Sequence, residues 1–352
     1  MREIKTVLSL FDGMSCGQIA LNRLGIIPDK YFASEIDKYA IQVTQKNFPK
    51  TIQLGDVNNW PFWELIPEFA WDSIDLLIGG SPCQDLSIAK QNRQGLEGKR
   101  SGLFWRYVEI LKKAKPKYFL LENVASMKNS DKDIISEILG VEPVMINSAL
   151  LSAQQRKRYY WTNIPFITQP RDKGIYLKDI IETGGATLTD KSYCLTGNYS
   201  KKSIRDIPKG NTLIIEPVVY QLPRGKNGGG IKKEKAPTMT SNAWEHNNLC
   251  IEPLRVGHFG KGGQSQRIYS ANGKSVCLGT GGATKENYLI NIPNNDYVIR
   301  KLTPLECERL QTVPEGYTSC VSNTQRYRML GNGWTVDVIA HIFKSILLED
   351  IL

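Results

Sequence analysis

A repeated alternation of short apolar runs and amphipathic stretches constrains the first 165 residues most strongly. Four runs have the composition and length of buried strands: residues 6–11, 31–34, 74–78 and 118–121. Apolar residues between these runs recur at helical spacing, as at Ile19, Leu21 and Leu24. Because this alternation is typical of β-α-β units, it predicts an α/β fold with a doubly wound, mostly parallel sheet.

The middle of the chain, residues 165–295, has a different composition. It holds 17 of the 30 glycines and carries 18 Lys and Arg residues against 10 Asp and Glu residues. Most of the net charge of +10 therefore lies there. Such a segment predicts loops and short strands with a basic surface, which suits a polyanionic partner.

Three similar stretches recur within this middle segment, about 40 residues apart. They begin at Lys191, Lys235 and Lys274. Each leads to an apolar run, at residues 211–217, 248–253 and 287–293. The spacing predicts a small array of hairpin-like units, although chance similarity of such short strings is the alternative.

The α/β pattern returns after residue 296. Thr303 and Pro304 suit the start of a helix over residues 305–311, and apolar residues from Trp334 onward recur at helical spacing. We therefore predict that residues 1–164 and 296–352 form one domain, and that residues 165–295 form a second, smaller one.

Composition excludes several classes of protein. No apolar run is long enough to cross a membrane, and the N-terminus lacks the features of a signal peptide, so we expect a cytoplasmic protein. The seven cysteines include no C-x-x-C pair and the chain has three histidines. A disulfide scaffold and a metal site are therefore not expected.

Polar groups follow the first predicted strands in turn. The loop from Phe11 to Gly17 follows the first strand, and Glu35 and Asp56 close the next two sheet segments. Carboxylates at these places can accept hydrogen bonds from ribose hydroxyls and from an adenine amino group, although either residue could be an ordinary loop acid. Since the loop lacks G-x-G-x-x-G, we expect a cofactor with a single nucleoside at this sheet edge.

A second set of reactive side chains follows the later strands. Cys83 lies on a Pro-containing loop after the strand predicted over residues 74–78, which favours a nucleophile over a structural thiol. Glu122 ends the next strand, where a helix N-cap is the alternative role. Arg156 and Arg158 alternate, so in a strand both guanidinium groups would point to one face.

In this order, the motifs resemble those of the cytosine-C5 DNA methyltransferases. Their residues are most similar to those of the de novo branch and its bacterial and phage relatives. The matching residues are the Phe11 to Gly17 loop, Glu35, Asp56, Pro82-Cys83-Gln84, Glu122-Asn123-Val124, Gln154 with Arg156 and Arg158, and Gly331-Asn332. The resemblance covers residues 4–163 and 297–349. Ser15 departs from it, because most members carry a second glycine there.

The resemblance implies a Rossmann-like methyltransferase that uses S-adenosylmethionine, releases S-adenosylhomocysteine and needs no metal. The residues that it places around the cofactor are Phe11, Asp12, Gly13, Ser15, Cys16, Glu35, Ile36, Asp56, Val57, Ser81, Pro82, Asn332, Gly333 and Trp334.

The resemblance also implies a mechanism on cytosine in a short site of double-stranded DNA. Cys83 would add to C6 of an extruded base, Glu122 would act as an acid at N3, Arg156 would hold the carbonyl oxygen and Arg158 the phosphates. The residues expected at DNA are Gln84, Ser87, Lys90, Arg93, Arg224, Arg255 and Arg267. The segment 165–295 would be the target-recognition domain.

Further expectations are a monomer, a bacterial or phage setting and a companion restriction nuclease. Two alternatives stay open at this point. One is a transfer RNA cytosine-C5 methyltransferase, and the other is a catalytically silent DNA-binding regulator of the same fold.

Overall fold

The computed structural model describes most of the predicted first domain and short segments of the second. The described residues are 4–81, 103–182, 186–187, 190–192, 194–197, 213–216, 218–221, 230–232, 248–251, 255–258, 267–269 and 298–348. The chain divides into two compact units, one of Met1–Tyr176, Lys191–Lys201 and Pro304–Leu352, the other of Leu177–Asp190 and Lys202–Thr303. The division predicted from the sequence stays a prediction.

A seven-stranded, mostly parallel sheet organises the first unit. Its strands are β1 (Thr6–Leu10), β2 (Lys30–Ser34), β3 (Ile52–Gln53), β4 (Leu76–Gly80), β5 (Tyr118–Val124), β6 (Val144–Asn147) and β7 (Lys157–Thr162). Their order in space is β3-β2-β1-β4-β5-β7-β6. The first five are parallel, whereas β7 runs antiparallel to both of its neighbours. The predicted α/β fold is confirmed.

Seven α-helices are described, and the first four connect strands of this sheet. They are α1 (Cys16–Arg23), α2 (Lys38–Asn47), α3 (Leu103–Ala114), α4 (Asn129–Leu139), α5 (Pro304–Leu310), α6 (Asn323–Asn332) and α7 (Val336–Leu348). Local sequence explains several of their ends. The Asp37 carboxylate caps α2 by accepting from the Tyr39 amide at 2.9 Å, and Gly140 ends α4 at a φ of 70°.

The fifth strand is longer than the sequence predicts. A strand over residues 118–121 would end before Glu122, but β5 continues to Val124. The reason is non-local, because β7 pairs antiparallel with β5 from Leu120 opposite Thr162 to Val124 opposite Arg158. Glu122 therefore lies inside a buried strand.

Three small antiparallel sheets form the described part of the second unit. Their strands are β8 (Ala186–Thr187), β9 (Leu213–Glu216), β10 (Val218–Gln221), β11 (Gly230–Lys232), β12 (Asn248–Ile251), β13 (Arg255–His258), β14 (Arg267–Tyr269) and β15 (Val298–Lys301). The first sheet joins β15, β9 and β8, the second joins β11, β10 and β12, and the third joins β13 and β14. Strands occupy the first two apolar runs of the predicted repeat, and the third run lies outside the described residues.

The core of the first unit packs around the central strands. Leu8, Leu10 and Leu121 are fully buried there with Phe104 and Tyr107 from α3. Burial of these apolar side chains stabilises the packing of α3 on the sheet, since each contributes about 1.5–3 kcal/mol. In the described part of the chain, no helix is long and apolar enough to span a membrane.

Gly331 in α6 is packed against the backbone of the segment at residues 194–197. A Cβ at this position would lie 2.2 Å from the Thr196 carbonyl carbon and 2.3 Å from its oxygen. We predict that Gly331→Ala lowers the free energy of unfolding by about 1–3 kcal/mol, because backbone must move to admit the methyl group. Urea denaturation measures this, with the exposed Thr324→Ala in the same helix as control. Equal stability of the two variants would contradict this packing.

Candidate active site

The carboxyl ends of β1, β2, β4 and β5 meet at one edge of the sheet, where ligands bind in folds of this kind.

The loop after β1 has an unusual backbone. Phe11, Gly13 and Ser15 all have left-handed φ values, of 56°, 60° and 61°. Non-glycine residues in this conformation cost on the order of 1 kcal/mol each. Ser15, the residue just before α1, adopts this left-handed conformation and carries its cost.

A side-chain hydrogen bond accompanies this strain. The Ser15 hydroxyl donates to the Asp12 carboxylate, and the Tyr31 hydroxyl donates to its other oxygen at 2.9 Å. Burial raises the pKa of the Asp12 carboxyl to about 6, and the hydrogen bonds offset only part of that effect. The negative charge of Glu35 raises this pKa further.

The Glu35 and Asp56 carboxylates both hold the backbone around them. Glu35 Oε2 accepts from the Gly13 amide, and Oε1 from the Ile36 and Asp37 amides, each at 2.8 Å. Asp56 accepts from the Asn58 amide at 2.9 Å. A carboxylate has about four lone-pair sites, so both groups keep capacity for a ligand.

A buried carboxylate is the centre of the candidate site. Glu122 is 8% exposed, and its Oε1 forms an ion pair with Arg158 Nε at 2.8 Å. Its Oε2 accepts from Trp334 Nε1 at 3.0 Å. A Cβ at Gly80 would lie 2.8 Å from Trp334 Nε1 and 3.0 Å from Glu122 Oε2. Gly80 therefore leaves the space in which this hydrogen bond forms.

Arg156 has different partners from Arg158. Its guanidinium donates to the backbone carbonyls of Leu195 at 3.1 Å, Gly331 at 3.3 Å and Gly333 at 2.9 Å. The side chain is 4% exposed. Arg156 thus fixes the backbone that leads to Trp334, and the structure brings Arg158 to the Glu122 carboxylate.

Two side chains that sequence reasoning did not single out also belong to this region. Asn123 Nδ2 donates to Ser81 Oγ at 3.1 Å, which fixes the end of the segment after β4. Cys194 Sγ lies 3.3 Å from Arg156 Nη1. Asn123 stood in a recognised Glu-Asn-Val motif, whereas Cys194 is far from the arginines in sequence and carried no comparable signal.

The remaining predicted cofactor residues lie around the loop after β1. Gly333 packs on this loop, since a Cβ there would lie 3.0 Å from the Met14 methyl carbon and 3.3 Å from Cys16 Sγ. Burial raises the pKa of the Cys16 thiol to about 12. Ile36 and Asn332 are exposed, and Val57 is buried.

Several predicted residues fall outside the described part of the chain. They are Pro82, Cys83, Gln84, Ser87, Lys90, Arg93 and Arg224. Arg255 and Arg267 lie in β13 and β14, but their side chains are outside the described structure. Among the residues that are described, no cluster of His, Cys, Asp and Glu could hold a metal ion.

The Asp12 pKa makes a prediction about stability. A carboxyl with a folded pKa of about 6 and an ordinary value of 3.8 binds more protons in the folded state, so it lowers stability as pH rises through this range. We expect Asp12→Asn to remove this loss. The stability of the variant relative to the parent should rise by about 2 kcal/mol from pH 4 to pH 7, in urea titrations. A difference that does not change with pH would contradict the shift.

Comparison with known proteins identifies the family. The sequence model described as C-5 cytosine-specific DNA methylase matches residues 5–348. Type II methyltransferase M.HpaII of Haemophilus parainfluenzae is 30% identical, over 99% of this chain and 90% of its own length. Orphan methyltransferase M.SPRI of Bacillus phage SPR is 27% identical, over 97% of each chain.

A solved structure of similar fold is the Entamoeba histolytica methyltransferase EhMeth, which has a TM-score of 0.60 and 15% identity over the whole of both chains. Its likeness supports the fold alone. The match of the family to nearly all of this sequence supports the activity class. The chain belongs to the C-5 cytosine-specific DNA methylases, which are methyltransferase enzymes.

Proposed function

We propose that this enzyme transfers a methyl group from S-adenosylmethionine to C5 of a cytosine that is extruded from duplex DNA, through a covalent bond between Cys83 and C6. The observation that carries the proposal is the Glu122 carboxylate, buried at the sheet edge and held by Arg158 and Trp334. Base extrusion follows from chemistry, because a stacked ring exposes neither face to a nucleophile.

The loop after β1 and the acids beside it fit the proposed cofactor. Asp12 supplies a carboxylate for the positively charged methionine end, Glu35 keeps acceptor capacity for ribose hydroxyls, and Asp56 for an adenine amino group. When bound, S-adenosylmethionine supplies an electrophilic methyl group. Phe11, Ile36 and Val57 would line the adenine, and Gly13, Ser15, Cys16, Ser81, Pro82, Asn332, Gly333 and Trp334 the rest.

Glu122 is assigned the role of general acid. As the Cys83 thiolate adds to C6, negative charge spreads toward N3, and transfer of a proton from the Glu122 carboxyl group to N3 would neutralise it, so Glu122 must take up a proton before this step. Trp334 fixes one oxygen of Glu122 and Arg158 the other, so the carboxyl group is oriented before substrate arrives. The neighbouring Asn123 contact to Ser81 fixes the start of the segment that carries Cys83.

The roles that the sequence predicts for the two arginines are revised in this proposal. Arg156 was expected at the cytosine carbonyl oxygen, but its guanidinium is engaged by three backbone carbonyls. Arg158 lies against the proposed acid and is also a donor. We therefore assign the base-facing role to Arg158 and a structural role to Arg156.

The expected partner is duplex DNA. The basic middle of the chain would recognise the target, with Arg224, Arg255 and Arg267 among its contacts, and Gln84, Ser87, Lys90 and Arg93 would contact DNA after Cys83. The relatives include type II and orphan methyltransferases. A companion nuclease, a monomeric state and a cytoplasmic location stay predictions.

The function is tested with labelled S-adenosylmethionine and a sequence-diverse pool of duplex DNA. We expect label in DNA at C5 of cytosine, and none with Cys83→Ala, while that variant binds the cofactor with unchanged affinity. Preference for transfer RNA over DNA in a parallel reaction would favour the RNA-directed alternative. Absence of label from every nucleic acid would contradict the proposal.

The revised roles of Arg156 and Arg158 give a separate prediction. Arg158→Lys should lower kcat by about 10²-fold or more without a large loss of stability, because a general acid and its partner contribute 10²–10⁴-fold. Arg156→Lys should instead lower the melting temperature, because lysine cannot reach three carbonyls at once. Loss of kcat without loss of stability in Arg156→Lys would restore the original assignment.

A further inference from the structure

A cysteine distant in sequence lies between Arg156, which precedes β7, and Arg158, which is in β7. Cys194 Sγ is 3.3 Å from Arg156 Nη1 and 3.8 Å from Arg158 Nη2, within hydrogen-bond range for sulfur. The segment that carries it is fixed at Ser192, two residues before Cys194, by two backbone hydrogen bonds. The Ser192 amide donates to the Ala153 carbonyl at 2.7 Å, and the Gln155 amide to the Ser192 carbonyl at 2.9 Å.

The sulfur extends the chain of charged groups that begins at the proposed acid. Glu122 pairs with Arg158, Arg158 donates to Cys194, and Cys194 accepts from Arg156. Glu122 holds Nε of Arg158, the Lys157 carbonyl accepts from Nη1 at 2.9 Å, and Cys194 contacts Nη2. All three nitrogens of the planar guanidinium are therefore engaged, and Cys194 supplies the contact at Nη2 that restricts its rotation on that side.

We propose that Cys194 is a positioning residue, whose thiolate orients the Arg158 guanidinium against Glu122. This proposal rests on the proposed function of Glu122 and Arg158. Cys194 acts through Arg158, and Cys83 remains the nucleophile. As a thiol, Cys194 can also donate to the Leu195 carbonyl, 3.4 Å from Sγ. Loss of that proton would place a negative sulfur between two guanidinium groups and reduce the repulsion between Arg156 and Arg158.

The electrostatics of the sulfur agree with this role. Burial alone raises the pKa of Cys194, but the charges of Arg156 and Arg158 and their hydrogen bonds outweigh burial and lower it from the ordinary value. The buried thiols of Cys16 and Cys307 show the opposite, since burial raises the pKa of both. In the described part of the chain, the charged groups that face Cys194 are Arg156 and Arg158, with Glu122 of β5 behind Arg158.

The first test measures the thiolate without any need for activity. Cys83→Ala protein is alkylated with iodoacetamide across a pH series, and labelling of each cysteine is followed by peptide mass spectrometry. We expect the alkylation rate of Cys194 to reach half of its maximum at a pH below the pKa of an ordinary thiol, which is about 8.5. Adding Arg158→Ala should shift this midpoint upward. A midpoint at or above the ordinary value would overturn the proposal, whatever the enzyme methylates.

The second test asks whether Cys194 acts through Arg158. In methyl transfer to the DNA pool, Cys194→Ala should lower kcat about tenfold, leave KM for the cofactor unchanged and alter the acid limb of the pH profile. The half-buried Cys320→Ala serves as control. In an Arg158→Ala background, Cys194→Ala should cause no further loss.

Equal losses of kcat in both backgrounds would show that Cys194 acts independently of Arg158 and would overturn the proposal. Cys194→Ser keeps a polar group of similar size but carries no charge, so it separates charge from packing if the alanine variant is unstable. Full activity and an unchanged pH profile in the serine variant would also contradict a thiolate role.

Discussion

The ion pair between Glu122 and Arg158 is the interaction on which the site depends. Removing a carboxylate from water costs several kcal/mol unless it is paired and hydrogen-bonded, and the strand position of Glu122 gives it little access to solvent. Arg158 and Trp334 supply the compensation, one on each oxygen. The carboxylate thereby joins two strands of the sheet to the connection between α6 and α7.

The same connection is held by residues that do not contact the carboxylate. Arg156 donates to the Gly331 and Gly333 carbonyls on either side of Asn332, and Gly80 leaves room for the Trp334 ring. An arginine that satisfies three backbone carbonyls is a structural element, because buried carbonyls without donors are costly. One Gln-x-Arg-x-Arg motif thus supplies both the support of the site and its charged group.

Much of this arrangement follows from local patterns in the sequence. The central strands have apolar, buried runs that identify them, and carboxyl ends of parallel strands bring the β1 loop, Glu35 and Glu122 to one edge. Alternation predicts that Arg156 and Arg158 lie on one face, but it does not choose their partners. Arg156, just before β7, bonds to residues 194–195, 331 and 333, and Arg158, in β7, pairs with Glu122 and contacts Cys194. Only tertiary folding brings these residues near. Cys194 and the extension of β5 were missed for the same non-local reason.

The central claim is that the Cys83 sulfur bonds to an extruded cytosine, and mechanism-based trapping tests it most directly. Duplex DNA with 5-fluorocytosine at a methylated site cannot release the enzyme after methyl transfer, because the C5 fluorine is not lost as a proton is. The account predicts a stable protein-DNA adduct at Cys83, identified by peptide mass spectrometry, that requires S-adenosylmethionine. Normal turnover on the fluorinated duplex, or an adduct at another cysteine, would contradict it.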